Sequence, residues 1–194
     1  VRSLLLFLAL AGLSLLTAME SGAIDVTETS DWPVPLPGYS LRQALNAANE
    51  DTQTDVINIP EGIYTLNKSD ADEDNNLDGD LDVKNSVYIV GKGPEKTFID
   101  GSGLTRVLHI VQTDVSVGLV NLTIQNGKVT NNHNQPHGAG ILNKGSLSLY
   151  NVGIKNNTNA ADNNFGGGIY NDGILPIINA TFFFFNDTAT TEIY

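Results

Sequence analysis

The feature that most constrains this chain is a short stretch that occurs twice. Gly138-Ala139-Gly140-Ile141-Leu142-Asn143 is followed 28 residues later by Gly166-Gly167-Gly168-Ile169-Tyr170-Asn171. At the same spacing Asn151 is followed by Asn179. Leu122-Thr123-Ile124-Gln125-Asn126 is followed 30 residues later by Val152-Gly153-Ile154-Lys155-Asn156. Self-similarity at this period, made of strands and turns, is the mark of a β-solenoid. One coil cannot bury its apolar face alone, whereas stacked coils build a continuous core. An antiparallel sandwich also offers short strands and turns, but gives no reason for a repeated Gly-x-Gly-Ile-x-Asn. The spacing places Ile141, Leu147, Leu149, Val152 and Ile154 inward. Asn143, Asn151, Asn171 and Asn179 fall at turns, where their amides can stack from coil to coil.

Upstream of the repeat the apolar period is also two, from Val56-Ile57-Asn58-Ile59 through Leu122 and Ile124. One segment differs. Ser40 can cap a helix, with Gln43 as its capping-box partner. Leu41, Ala44, Leu45 and Ala48 then recur on one helical face. A solenoid has open ends whose unpaired backbone invites edge-to-edge association. A helix over 40–49 is well placed to cover the first coil.

Both termini read as separate from this domain. Residues 1–23 have the form of a secretory signal: Arg2, an apolar run from Leu4 to Leu16, and small residues Ser21-Gly22-Ala23 before a cleavage point, with Ala18 as a second possible point. The run is shorter than the roughly 20 residues needed to span a bilayer. The chain is therefore expected to be secreted or displayed at the cell surface, without a membrane span in its mature form. Residues 182–194 begin with a Phe run, and Asn186–Tyr194 back-translates to a string resembling a sequencing-library adapter. On that reading the native chain is truncated near Thr181, and residues 24–181 form the β-helix domain. Net charge is −12, which disfavours nucleic acid and anionic membranes as partners. The absence of cysteine excludes disulfides, a cysteine zinc site and a cysteine nucleophile.

The segment Tyr39-Ser40-Leu41-Arg42-Gln43-Ala44-Leu45-Asn46-Ala47-Ala48-Asn49 resembles the CSLREA motif of secreted and surface bacterial proteins, with Tyr39 where that motif has Cys. Asp55–Leu66, Gly79-Asp80-Leu81-Asp82-Val83, Ile99-Asp100-Gly101, Gly118–Ile124 and the two glycine-rich coils follow in family order. The resemblance implies a right-handed parallel β-helix, a pectate-lyase-like solenoid with a short N-terminal capping helix. The coil repeat is also similar, more weakly, to the Gly-Gly-Ala-Ile repeats of polymorphic outer-membrane autotransporter adhesins. The motif specifies fold rather than function: the leader, the repeat and the Asn-rich loops favour non-catalytic adhesion or glycan contact, while the pectate-lyase-like fold keeps a calcium-dependent polysaccharide lyase or hydrolase as the alternative.

Five groups of residues are candidates for chemistry. Asp70, Asp72, Asp74, Asn76 and Asp78 alternate, as oxygen ligands do in a calcium loop. Asn75 and Leu81 replace the glycine and the bidentate glutamate of an EF-hand, so any calcium shell here would be irregular. A solvated acidic loop is the alternative. Arg106, with His109 close by, is a candidate base for a calcium-dependent polysaccharide lyase, against the simpler expectation of an exposed arginine at a turn. His133 and His137 flank a polar loop whose Pro136 argues against a helical zinc pair; they are expected to be exposed. The Asn-rich excursions 128–137 and 155–165, with Asn131, Asn132, Asn134, Asn157, Asn159 and Asn163, suit an extracellular polysaccharide or cell-surface glycan, with solvated linkage as the alternative. Arg42 could bind a substrate carboxylate, but is expected instead to tie the cap helix to the first coil through an ion pair or hydrogen bonds.

Overall fold

The computed structural model describes residues 22–31, 38–67, 73–133, 135–162 and 165–176. Residues 1–21, where a leader is expected, the tail 182–194 and Asp70, Asp72, Asn134, Asn163 and Asn179 lie outside them. The described residues form a right-handed parallel β-helix of about four coils. The first coil is β2 (Asp55–Asn58), β3 (Gly62–Thr65) and β4 (Leu81–Val83). The second is β5 (Val87–Val90), β6 (Thr97–Asp100) and β7 (Leu108–Ile110). The third runs through β8 (Ser116–Gln125), β9 (Lys128–Val129) and β10 (Ile141–Asn143). The fourth runs through β11 (Ser146–Lys155), β12 (Thr158–Asn159) and β13 (Ile169–Asn171). A short strand, β1 (Ala23–Asp25), precedes them and pairs in parallel with β2. It begins at Ala23, the last residue of the expected leader.

The register explains the apolar period. Ile57, Ile89, Leu119 and Leu149 are successive partners on one face. Tyr64, Ile99, Ile124 and Ile154 are partners on the second. Leu81, Leu108, Ile141 and Ile169 line the third. All are buried in one apolar cluster. Each such side chain stabilises the fold by about 1.5–3 kcal/mol relative to exposure. β8 and β11 turn the corner between the first two faces at Asn121 and Asn151, which both take positive φ (54° and 51°). The Asn151 amide donates to Asn121 Oδ1 at 2.8 Å, and Asn143 donates to Asn171 Oδ1 at 2.6 Å, so the stacked amides do form. The glycine repeat also has a local cause. Gly138 and Gly166 hold the left-handed conformation, and a Cβ at Gly140 would run into the Gly168 carbonyl of the next coil.

The N-terminal end is closed by α1 (Leu41–Ala48). Ser40 and Gln43 make both bonds of the capping box, and Leu41, Ala44, Leu45 and Ala48 are buried on the end of the core. β4 is the edge of its sheet, and side chains satisfy its backbone in place of a fifth strand. Asn49 donates to the Asp82 carbonyl (2.8 Å) and accepts from the Lys84 N–H (2.9 Å). Arg42 donates to the carbonyls of Gly79 (2.6 Å) and Asp80 (2.8 Å) and forms a two-pronged pair with Asp31 (2.7 and 3.1 Å). Arg42 therefore has the structural role that the sequence suggested.

Candidate functional site

On the third face, the residue between Leu81 and Val83 is Asp82, and its register partner on β7 is His109. Their apolar neighbours point inward, so alternation turns both outward. Both are nonetheless buried: the Asp82 side chain is 0% exposed and that of His109 is 2%. Asn76 ties the 73–80 segment to β4. Its N–H donates to Asp82 Oδ2 (2.9 Å), and its Oδ1 accepts from the Asp82 N–H (3.1 Å). Asp74 and Asp82 place carboxylate oxygens 3.3 and 3.4 Å from His109 Nδ1. Asp82 Oδ1 and His109 Nε2 have no hydrogen-bond partner among the described residues.

Burial pushes the Asp82 carboxyl up to about 7. The Asn76 N–H opposes that shift, Glu73 and Asp74 add to it, and Arg106 opposes it in turn. Burial also pushes the His109 ring down to about 4, with help from the Arg106 charge. The two residues thus sit near neutrality as a carboxyl of raised pKa beside an uncharged imidazole. The three ligand atoms of Asp74, Asp82 and His109 lie within 4.8 Å of one another, so this is where the described residues can hold a cation.

Next to this cluster lies Arg106. It is not the exposed turn residue that the sequence suggested, but is 3% exposed. It pairs with Asp80 (2.9 Å) and donates to the carbonyls of Gln135 (2.5 Å) and His137 (3.3 Å). A base must reach its substrate, and this guanidinium is committed to holding the 135–137 segment against the coil. His133 is buried as well, with Nδ1 accepting from the Thr130 N–H (3.1 Å). His137 stacks on Tyr170, ring centroids 4.5 Å apart. Neither histidine is the exposed loop residue expected, because the excursion folds back onto the neighbouring coil.

Of the alternating acidic run, Asp70 and Asp72 lie outside the described residues, and the other three members take separate places. Asp74 joins the histidine cluster. Asn76 is 0% exposed, with its oxygen accepting from both Asp82 and Arg42 (3.3 Å). Asp78 offers its backbone carbonyl to Arg42 (3.3 Å). The loop asparagines divide too. Asn131 is exposed and exchanges bonds with Asp162 (3.1 and 2.8 Å), joining the two excursions side by side. Asn132 is exposed. Asn159 staples its coil to the Pro136 carbonyl (2.8 Å). Asn157 is a correction: it is buried, accepts from the Gly127 N–H and donates to the Ile124 carbonyl, so it holds coils together rather than meeting a ligand.

A different surface is better formed for contact. Ser102, Asn126 and Asn156 occupy the same corner of three successive coils, all with φ of 55–58°. With Gly103, Gly127, Lys128 and Thr158 they line a shallow open depression of about 350 Å³. Coil stacking spaces these side chains by about 4.8 Å along the axis. No family model matches the chain, nor does any curated protein or solved structure. The shelf and the histidine cluster are therefore read on their own geometry.

The shelf was partly legible in sequence, since Asn126 and Asn156 are matched at the 30-residue offset. Aligning Leu81-Asp82-Val83 with Leu108-His109-Ile110, both apolar-x-apolar, would have brought Asp82 and His109 together.

Proposed function

We propose that this is a secreted or surface-displayed, non-catalytic β-helix of the CSLREA type that binds extracellular polysaccharide along its coil axis. The observation that carries the reading is the shelf. Ser102, Asn126 and Asn156 lie on one corner of successive coils, where Asn126 donates to Asp100 (2.7 Å) and Thr158 and Lys128 flank the row. Amides and hydroxyls exchange hydrogen bonds with sugar hydroxyls as readily as with water. A row of polar groups on successive coils suits a polymer better than a single small molecule, which would be held in a deep apolar cleft. The overall charge of −12 favours a neutral polysaccharide over a polyanion. The leader-like start of the sequence supports an extracellular setting.

Calorimetric titration of the full chain with a panel of soluble neutral and acidic polysaccharides tests this. The expected result is saturable binding to a neutral polymer with no turnover. Lys128→Ala combined with Asn156→Gly, which keeps the left-handed backbone while removing the amide, should weaken binding by at least about tenfold. A rise in unsaturated-product absorbance on polygalacturonate with calcium would instead establish a lyase and overturn the reading.

A further inference from the structure

We propose that Asp74, Asp82 and His109 form a binding site for a zinc-class divalent transition cation, fixed on the third face of the solenoid. Three observations carry it. The first is spacing. Ligand atoms around a tetrahedral ion with bonds of about 2.0–2.1 Å are separated by about 3.3–3.4 Å. Asp74 Oδ1 and Asp82 Oδ1 stand 3.3 and 3.4 Å from His109 Nδ1. The competing occupant is a proton shared between His109 Nδ1 and a carboxylate oxygen. A charge-assisted N–H···O bond closes to about 2.7–2.9 Å, and neither distance does so.

The second observation is that Asp82 Oδ1, in a side chain with 0% exposure, has no hydrogen-bond donor among the described residues. It lies 3.4 Å from His109 Nδ1. A buried carboxylate oxygen with no donor is costly unless something positive meets it. The other oxygen of that carboxylate is held by the Asn76 N–H, which fixes its orientation as an outer-shell partner does in a metal centre.

The third is charge and access. Ligation requires both carboxylates deprotonated and the imidazole neutral, and the three ligands then sum to −2, which a divalent ion neutralises. The neighbouring Arg106 is already paired with Asp80. Asp74 is 54% exposed, which gives the ion a route in from solvent and leaves further positions for water. A nitrogen ligand with this spacing favours a zinc-class ion over calcium, which takes six to eight oxygens at about 2.3–2.6 Å. The site is distinct from the polysaccharide shelf and does not depend on it.

The test uses the full chain, stripped with a chelator and titrated with Zn²⁺ and, for its visible spectrum, Co²⁺. The expected result is one equivalent bound, a tetrahedral-type Co²⁺ spectrum, and a raised melting temperature. Asp74→Asn lies at an exposed position and should leave the metal-free melting temperature unchanged while weakening binding by at least about tenfold. His109→Gln should abolish the spectrum. His137→Ala should leave binding intact. No saturable binding at millimolar metal, binding unchanged in Asp74→Asn, or a preference for Ca²⁺ over Zn²⁺ would each overturn the proposal.

Discussion

Arg42→Met is the most informative single perturbation of the fold. Methionine keeps most of the aliphatic stem against the cap, so the change falls on the guanidinium. That group holds Asp31 through two bonds and satisfies the carbonyls of Gly79 and Asp80, and the Arg42 and Asp31 side chains are 5% and 2% exposed. Removing one partner of a buried pair costs about 3–5 kcal/mol, because the other charge is left unpaired. With a urea dependence of about 2 kcal/mol per molar, a loss of about 4 kcal/mol moves the unfolding midpoint down by about 2 M. Arg42→Lys, which keeps the charge but loses the planar fork, should fall between wild type and Arg42→Met. Adding Asp31→Asn to Arg42→Met should restore at least about 1 kcal/mol by removing the orphaned charge. The assay is urea denaturation followed by circular dichroism, with hydrogen exchange alongside. Exchange should accelerate first in β2 and β4, because coils contact only their neighbours. A midpoint shift below about 0.5 M, or a further loss when Asp31→Asn is added, would refute the claim that this pair locks the cap to the first coil.

Two further predictions concern the corners and the histidine stack. Asn151→Ala should cost about 1–2 kcal/mol for an L side chain at φ of 51°, plus about 1 kcal/mol for the lost amide bond to Asn121; Asn151→Gly should recover the backbone part, as read from thermal melts. The His137 ring should titrate below the ordinary histidine value, because burial and, second, the Arg106 charge disfavour its cation. The unfolded chain then binds the proton more tightly than the folded one. Stability from the neutral ring is full above the ordinary histidine pKa and is lost as pH falls through the lowered one. Ring chemical shifts against pH check the midpoint, and His137→Gln should remove this part of the acid sensitivity.

The repeat was legible because register in a parallel solenoid is written directly as sequence offset. Ile141 pairs with Ile169 at 28 residues and Leu122 with Val152 at 30, as the matched segments require. The cap was legible because the capping box and the helical apolar face agree on the same eight residues. The environments of the charged side chains were not. Arg106 finds Asp80 26 positions away, and His109 meets Asp74 and Asp82 only after coil closure brings β4 beside β7. Their burial depends on excursions folding back over the coil, which composition describes only as polar and Asn-rich. The same folding converts Asn157 from an expected surface contact into an internal brace.

Mapping backbone amide shifts while a bound neutral oligosaccharide is titrated in tests the functional account most directly. The account requires the largest changes to cluster at Ser102, Asn126, Lys128, Asn156 and Thr158, in consecutive coils along one corner, with the oligosaccharide recovered intact. Changes centred elsewhere on the solenoid, or cleavage of the sugar during the titration, would contradict it.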